Sequence, residues 1–195
     1  SIRDISDRKI AEENLVHLSF HDYLTGLYNR RFFEAALKRL NTKRNLPLTL
    51  AMGDVKGLKL INASFGHTEG DAILTKVAGV LRRGCRADDI IARLGGDEFA
   101  VLVPEEGEEA ATQPADRIVA VIRGRTTLLD GEHPGAVTVS IGIKVIVTED
   151  IDAQTLLADG DLSLYDAKDA GRDRWSLYTT STHGQARSKS HLQWL

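Results

Sequence analysis

Residues 90–103 read IIARLGGDEFAVLV, in which an apolar run stands on each side of two glycines and two acids. The apolar runs predict the two strands of a hairpin, because Gly95 and Gly96 can take the positive φ angles that a tight two-residue turn needs. Asp97 and Glu98 then lie at the hairpin tip, where the glycines let a polyphosphate approach the backbone and the carboxylates can hold a divalent cation. Taken alone, the motif favours a solvated turn that carries two surface acids.

A second carboxylate, Asp54, ends another apolar run, 46–54 (LPLTLAMGD). We predict that this run is a strand and that the next residues, 55–59 (VKGLK), form a basic loop that contains a glycine. If the strand lies beside the hairpin in one sheet, Asp54 and Asp97 can share a pair of Mg²⁺ ions, and the loop's N–H groups and lysines can face phosphate. Two acids from distant segments therefore favour a nucleotide and metal site over a solvated turn.

Two further motifs flank these acids, residues 21–31 (HDYLTGLYNRR) and residues 165–174 (YDAKDAGRDR). Together with Gly-Gly-Asp-Glu-Phe at 95–99, in this order and spacing, they resemble the GGDEF domain family. Its members include the diguanylate cyclases, which join two GTP molecules into cyclic di-GMP. Several motifs in the right order are more specific than any single one, and the chain is identified as a member of this family.

The composition is that of a soluble enzyme domain. The chain has 195 residues, 42% of them hydrophobic, which is enough for one domain with a core and short appendages. A net charge of −3 and a pI of about 6.1 exclude the global basic field typical of nucleic-acid binding. The single Cys85 cannot form an intrachain disulfide, and no apolar run approaches the roughly 18 residues of a membrane span. We therefore expect a cytoplasmic domain without direct membrane contact.

Three parts are expected along the chain. They are a helical linker (1–20), a GGDEF catalytic domain (21–178) and a disordered tail (179–195). Within the linker, residues 6–20 carry apolar side chains at coiled-coil spacing, although one heptad is too short to identify a coiled coil. This stretch also resembles the exit of a PAS sensor domain, which implies an upstream PAS-like sensor in a longer protein.

Hydrophobic periodicity predicts helices that alternate with strands. The expected helices are a stripe from Phe33 to Leu40, a short helix 58–65, a helix with Thr68 as N-cap and Asp71 in its first turn, one that begins at Pro114, and a last one over 156–170. The expected strands, besides the hairpin and the Asp54 strand, are 137–145 and 175–178. This order predicts an α/β fold with a mixed central sheet covered by helices. The resemblance implies the palm-like architecture of nucleotidyl cyclases and polymerases.

The resemblance also implies a metal site and a reaction. A ribose 3′-OH attacks an α-phosphate in line and expels pyrophosphate, so the protein must neutralise phosphate charge. Asp54, the Val55 carbonyl and Asp97 match the family's ligands for two Mg²⁺ or Mn²⁺ ions per active site. Asp97, or a metal-bound water that it positions, would help to deprotonate the 3′-OH. Glu98 matches an essential position, and either metal binding or organisation of the tip is open as its role.

Substrate binding is expected from three groups of residues. The backbone of the loop and of the tip would face the triphosphate, namely at Gly57, Leu58, Lys59, Gly95 and Gly96. Lys168 and Arg172 lie at i, i+4 on one face of the last helix, where they can reach phosphate or simply be solvated cations at a helix end. Asn62 and Asp71 match the guanine-binding pair, because a carboxylate accepts from N1–H and N2–H₂, which adenine cannot offer. A mixed or adenine-containing product is therefore disfavoured.

Regulation and assembly follow from the same resemblance. Arg86 and Asp89 form an Arg-x-x-Asp motif with five residues between it and Gly95, which matches the family's inhibitory site for cyclic di-GMP. An exposed ion pair is the alternative, worth less than about 1 kcal/mol. Because each domain has one GTP site and two GTPs must meet head to tail, we expect a homodimer to be the active form.

Two features qualify this interpretation. Lys56 stands where many family members have an acidic or amide residue, so it can weaken metal affinity or contact phosphate. A catalytically silent GGDEF domain that acts as a receptor for cyclic di-GMP or GTP is therefore the alternative function. His17 and His21 lie at i, i+4, but no third ligand accompanies them, so a helix face is favoured over a zinc site.

Overall fold

A computed structural model of the chain describes residues 1–104, 137–149, 152–169 and 174–178. Its helices are α1 (Ile2–Phe20), α2 (Arg30–Leu40), α3 (Leu58–Phe65), α4 (His67–Gly84) and α5 (Ala153–Asp169), with a 3₁₀ turn at Lys43–Asn45. Its strands are β1 (Tyr28–Asn29), β2 (Leu48–Lys56), β3 (Ile90–Gly95), β4 (Glu98–Val103), β5 (Thr138–Ile146) and β6 (Arg174–Tyr178). None of the helices in these ranges is both long and apolar enough to span a membrane.

The strands form one six-stranded mixed sheet in the order β1-β3-β4-β2-β5-β6. The central strand β2 is antiparallel to both β4 and β5, whereas the pairs β1–β3 and β5–β6 are parallel. Alternate residues of β4 belong to two different cores, Val101 to the one that includes α4 and Leu102 to the one that includes α2 and α5. The predicted α/β fold, with a mixed central sheet covered by helices, is confirmed.

The hairpin is confirmed, but its turn is shifted by one residue. Gly95 is the last residue of β3 and pairs with Glu98, so the two-residue turn consists of Gly96 and Asp97. A register irregularity between Arg93 and Gly95 causes the shift. Neither glycine has a positive φ, so the prediction that Gly95 and Gly96 form a positive-φ turn was wrong. The shift places Asp97 in the turn itself.

The Asp54 strand is as long as predicted, but it lies two residues further along the chain, at Leu48–Lys56. It pairs with β5 as far as Lys56, which lies opposite Thr138, and Val55 is fully buried. Val55 and Lys56 are therefore strand residues, and the predicted loop reduces to Gly57, whose φ is 93°. Continued pairing with β5 is the physical reason, because hydrogen bonds along a central strand outweigh the local loop signal.

The other boundaries agree with the prediction except at α4. The helices near Phe33, 58–65 and 156–170 and the strands near 137–145 and 175–178 are present. The capping prediction for Thr68 was wrong, since α4 begins at His67 with Gly66 as N-cap and without a side-chain cap. Gly66, at φ 90°, ends α3 and starts α4, which leaves no room for a later cap. The expected helix at Pro114 and the tail from 179 lie outside the described residues.

Helix α5 lies directly against β5, backbone against backbone. A Cβ added to Gly142 would lie 2.3 Å from the Leu164 nitrogen and 2.8 Å from the Gly160 oxygen. Only glycine fits this approach. Lys168 follows Leu164 by one helical turn, so the close packing brings its side chain to the end of β2 that carries Asp54.

Candidate active site

Asp54 is the buried centre of the site, with a relative exposure of 5%. It lies on β2 opposite Glu98 of β4 and Ser140 of β5, so strand pairing fixes its position. Its Oδ2 forms ion pairs with two ammonium groups, that of Lys168 and that of Lys56, the latter at 3.1 Å. Its Oδ1 is buried and has no hydrogen-bond partner within the described ranges.

Asp97 approaches the same point from the hairpin tip. The Val55 N–H donates to the Asp97 carbonyl at 2.9 Å, which folds the tip over the end of β2. Asp97 Oδ2 lies 3.8 Å from Lys56 Nζ. Burial and the nearby negative charge of Asp54 raise the pKa of Asp97 above its usual range, although Lys56 opposes this. Two acids from distant segments therefore meet, as the sequence predicted they could.

These oxygens fit a divalent cation. An unpartnered carboxylate oxygen beside a second carboxylate is the donor type that Mg²⁺ and Mn²⁺ take. Among the described residues, no group of three or more His, Cys, Asp or Glu side chains is arranged to hold a metal. Mg²⁺ does not require such a cage, because it binds through one or two carboxylates and completes its shell with substrate phosphates and water.

Glu98 is half-buried and pairs with Arg30 rather than with a lysine of the site. Its Oε2 lies 3.9 Å from Arg30 Nη2, and Arg30 also donates to the Leu94 carbonyl at 3.3 Å. Burial, followed by the charge of Asp161, raises the pKa of Glu98, while Arg30 opposes the shift. The contact with Arg30 favours the organising role of Glu98 over metal binding.

The sequence analysis missed Arg93, which anchors the tip from the other side. Its Nη2 donates to the Gly96 carbonyl at 2.8 Å, and its Nη1 lies 3.1 Å from Asp22 Oδ1. Asp22 also accepts from the Thr25 N–H and hydroxyl at 2.9 and 2.7 Å. Burial alone would raise the pKa of Asp22, but the hydrogen bonds from Thr25 and the Arg93 charge lower it. The motif at residues 21–31, which contains Asp22 and Thr25, was the signal in the sequence that could have led to this contact.

The phosphate-facing candidates are exposed backbone and one described lysine. Gly57 is the N-cap of α3 without a side-chain cap, so the first-turn N–H groups at Leu58 and Lys59 have no intrahelical partner. At Gly95 and Gly96, no described heavy atom lies within 4 Å of an added Cβ, so the backbone is open to a ligand. The Lys168 ammonium forms an ion pair with Asp54 Oδ2. Arg172 is outside the described residues.

The guanine candidates lie where α3 packs on α4. Asn62 Oδ1 is buried, without a hydrogen-bond partner among the described residues, and Asp71 is exposed in the first turns of α4. Gly70 makes room for Asn62, because an added Cβ would lie only 2.0 Å from Asn62 Oδ1. The sequence analysis missed Gly70, since nothing local distinguishes it from other helical glycines.

Arg86 and Asp89 form a closed turn before β3. The Arg86 N–H donates to Asp89 Oδ2 at 2.7 Å, and the Asp89 N–H donates to the Arg86 carbonyl at 3.1 Å. The turn precedes β3, whose opposite end carries the hairpin tip, about 16 Å along the strand. The motif therefore lies apart from the two acids.

His17 and His21 belong to an aromatic stack. Their rings lie 4.0 Å apart and nearly parallel, and His21 stacks on Tyr28, which in turn stacks on Phe32 at 3.8 Å. His21 Nδ1 also lies 3.0 Å from the Gly26 carbonyl. The stack connects α1 to β1 and α2 by packing.

The fold agrees with what the comparisons with known proteins find. The family model "Diguanylate cyclase, GGDEF domain" matches residues 19–174, so the chain belongs to the GGDEF family. It is 39% identical over 156 residues to the diguanylate cyclase DgcP of Pseudomonas aeruginosa, covering 78% of this chain and 23% of DgcP. It is 34% identical over 165 residues to the response regulator PleD of Caulobacter vibrioides, covering 83% of this chain and 36% of PleD.

A solved structure gives the same fold. It contains the coiled coil and GGDEF domain of DgcB from Caulobacter crescentus in complex with c-di-GMP. The TM-score is 0.76 at 26% identity, and the match covers 90% of this chain and 94% of that one. By contrast, the chain spans only 16 to 39% of the length of the most similar curated relatives. The similarity therefore concerns this domain.

Proposed function

We propose that this domain is a diguanylate cyclase that condenses two GTP into cyclic di-GMP and releases two pyrophosphates. One observation carries the proposal, the environment of the buried Asp54 carboxylate. One of its oxygens has no hydrogen-bond partner among the described residues, the other forms an ion pair with Lys168, and Asp97 lies beside it. A buried carboxylate oxygen without a hydrogen-bond partner is costly, which favours a role in ligand binding. The relatives named as diguanylate cyclases support the same activity.

In each half-reaction, a ribose 3′ oxygen forms a bond to the α-phosphorus of the other GTP, and the bond to the β-phosphate oxygen breaks. Asp54, Asp97 and the Val55 carbonyl would hold Mg²⁺ or Mn²⁺, which when bound supplies positive charge for the phosphates and acidifies the 3′-OH. The prediction of two ions per site stays a prediction.

The remaining steps fall to this chain's own groups. Lys168 and the first turn of α3 would bind the triphosphate, and the open backbone at Gly95 and Gly96 would let it approach the tip. Asn62 and Asp71 would hold guanine. The Asp97 carboxylate, with its raised pKa, would accept the 3′-OH proton directly or through water.

We further propose that the active form is a homodimer, because one GTP site per chain requires two chains for two head-to-tail reactions. Helix α1 carries exposed apolar side chains that a contact with a second α1 would bury in part, at Ile5, Ile10, Leu15 and Val16. The rate per molecule should rise with protein concentration, and removal of residues 1–18 should lower it. A rate that stays flat across the dissociation range would contradict the dimer. The upstream PAS-like sensor and the cytoplasmic location stay predictions.

Cyclic di-GMP would inhibit this activity at Arg86 and Asp89. The turn presents an exposed arginine, which can bind a product phosphate and stack on guanine. Arg86→Ala should then relieve non-competitive inhibition without loss of GTP turnover. Equal product affinity of the wild type and Arg86→Ala in calorimetry would leave only product inhibition at the active site.

The decisive experiment is incubation with GTP and Mg²⁺ followed by chromatography of the product. Asp97→Ala and excess EDTA should each abolish cyclic di-GMP formation. Glu149→Ala is the matched control, because it removes an exposed acid whose pair with Lys43 at 3.9 Å contributes little. Full activity of Asp97→Ala would refute the mechanism.

A receptor that binds cyclic di-GMP or GTP without turnover is the second candidate. The observation that favours it is the ion pair of Lys56 with Asp54, which places a cation on a proposed metal ligand. Nucleotide binding in calorimetry, without any cyclic di-GMP formed by the wild type, would select the receptor.

A further inference from the structure

Lys56 is held at the point where the two acids of the site meet. It is the last residue of β2 and pairs with Thr138 of β5, so its backbone position is fixed by the central sheet. Its Nζ lies 3.1 Å from Asp54 Oδ2 and 3.8 Å from Asp97 Oδ2. A single ammonium group therefore bridges the carboxylates that come from β2 and from the hairpin tip.

The charges of the four side chains at this point already balance without a metal ion. Asp54 and Asp97 bring two negative charges, and Lys56 and Lys168 bring two positive charges within ion-pair distance of them. A divalent cation that bridged both carboxylates on the Lys56 side would have to displace this ammonium or lie directly against it. Repulsion between two cations a few ångströms apart is strong even under surface screening.

The oxygen without a hydrogen-bond partner is the other oxygen of the Asp54 carboxylate. Both lysines contact Asp54 Oδ2, whereas Asp54 Oδ1 is the atom without a hydrogen-bond partner in the described part of the chain. The carboxylate thus offers one free ligand atom to a metal ion and presents the other to ammonium groups. This division favours one divalent cation over two.

We propose that the Lys56 ammonium takes the place of one cation in the site, so that each chain binds one divalent cation together with GTP and not the two that the resemblance implies. The inference rests on the proposed function, because it assumes that Asp54 and Asp97 bind metal. Lys56 is then a positioning residue, which acts through its ion pairs with Asp54 and Asp97. A lysine that only stabilises the end of β2 would change the melting temperature on removal but not the metal binding.

The test is Mn²⁺ binding measured by electron paramagnetic resonance of the free ion. The nucleotide-free protein is titrated first, and then its complex with α,β-methylene GTP, which cannot be cyclised. Lys56→Met removes the charge and keeps the chain length, and Lys56→Gln is a second neutral variant in case the first folds poorly. Lys56→Arg keeps the charge, and Lys38→Met removes an exposed lysine of α2 as the matched control.

Loss of the Lys56 charge should tighten Mn²⁺ binding at least tenfold without nucleotide and raise the stoichiometry from one to two with the analogue. Lys56→Arg and Lys38→Met should bind as the wild type does. Coinciding isotherms of the wild type and the neutral variants would overturn the proposal, and so would two Mn²⁺ ions in the wild-type complex. Product chromatography is a separate readout: a Lys56 effect on Mn²⁺ without cyclic di-GMP formation would refute the cyclase alone.

Discussion

Gly70→Ala is expected to weaken binding of guanine nucleotides while it leaves the protein folded. An added Cβ would lie 2.0 Å from Asn62 Oδ1, whereas ordinary contacts begin at 3.4 Å, so the amide must retreat by about 1.4 Å. A hydrogen bond from Asn62 to the base is worth about 0.5–1.5 kcal/mol net. Its loss corresponds to a roughly twofold to tenfold weaker affinity, at about 1.4 kcal/mol per factor of ten.

Stability should change less than affinity, because two effects oppose each other. Alanine is favoured over glycine in a helix interior by about 0.5–1 kcal/mol, which offsets part of the cost of displacing the half-buried Asn62 side chain. Gly79→Ala, in the same helix, is the matched control. Its Cβ would lie 3.4 Å from Arg83 Nη1, the end of a flexible side chain, so it should stabilise the protein and leave nucleotide affinity unchanged.

The assay is calorimetry with α,β-methylene GTP, combined with urea unfolding of each variant. In an Asn62→Ala background, Gly70→Ala should cause no further loss of affinity, because its effect acts through the Asn62 amide. Wild-type affinity in Gly70→Ala would refute the role of Asn62 in base binding. An additive loss in the double variant would show that Gly70 acts by another route.

Two further predictions concern the packing and pH dependence of the fold. Gly142→Ala should lower the free energy of unfolding by about 3 kcal/mol, because its Cβ meets the Leu164 backbone at 2.3 Å; an unchanged urea midpoint would contradict this packing. The pKa of Asp22 lies below the ordinary value of an aspartate, so its contacts with Thr25 and Arg93 stabilise the fold above that ordinary value and are lost as the pH falls through the lower folded pKa. Asp22→Asn should therefore be less stable than the wild type at neutral pH, and thermal melts should converge in acid; a constant gap would exclude the linkage.

Much of the fold could be predicted because its signals are local. The stripe of α2 and the alternation of β5 depend only on neighbouring residues, and the helix and strand periods separate them. The hairpin was predictable for the same reason, but its turn was not. The one-residue shift comes from the irregularity between Arg93 and Gly95, which depends on how β3 pairs with β4.

The two acids of the candidate site could be predicted from the sequence, but the residues that hold them in place could not. Asp54 and Asp97 stand out because charge follows apolar runs. The pair of Asp22 with Arg93 joins residues 71 positions apart, and no local pattern records such a contact. The need for glycine at 70 and at 142 likewise arises only when another element packs against it. The features that the sequence does not predict are therefore those that depend on the close approach of distant segments.

Hydrogen bonds within the fold hold the two acids together. The Val55 N–H donates to the Asp97 carbonyl at 2.9 Å, and the Arg93 side chain donates through Nη2 to the Gly96 carbonyl at 2.8 Å. These bonds hold Asp97 near Asp54 although burial and like charge raise the pKa of Asp97. Lys56 offsets part of this repulsion within the site, and the hydrogen bonds to the tip keep the carboxylates in position for a cation. Loosening of the tip should therefore weaken metal binding even where both acids are intact.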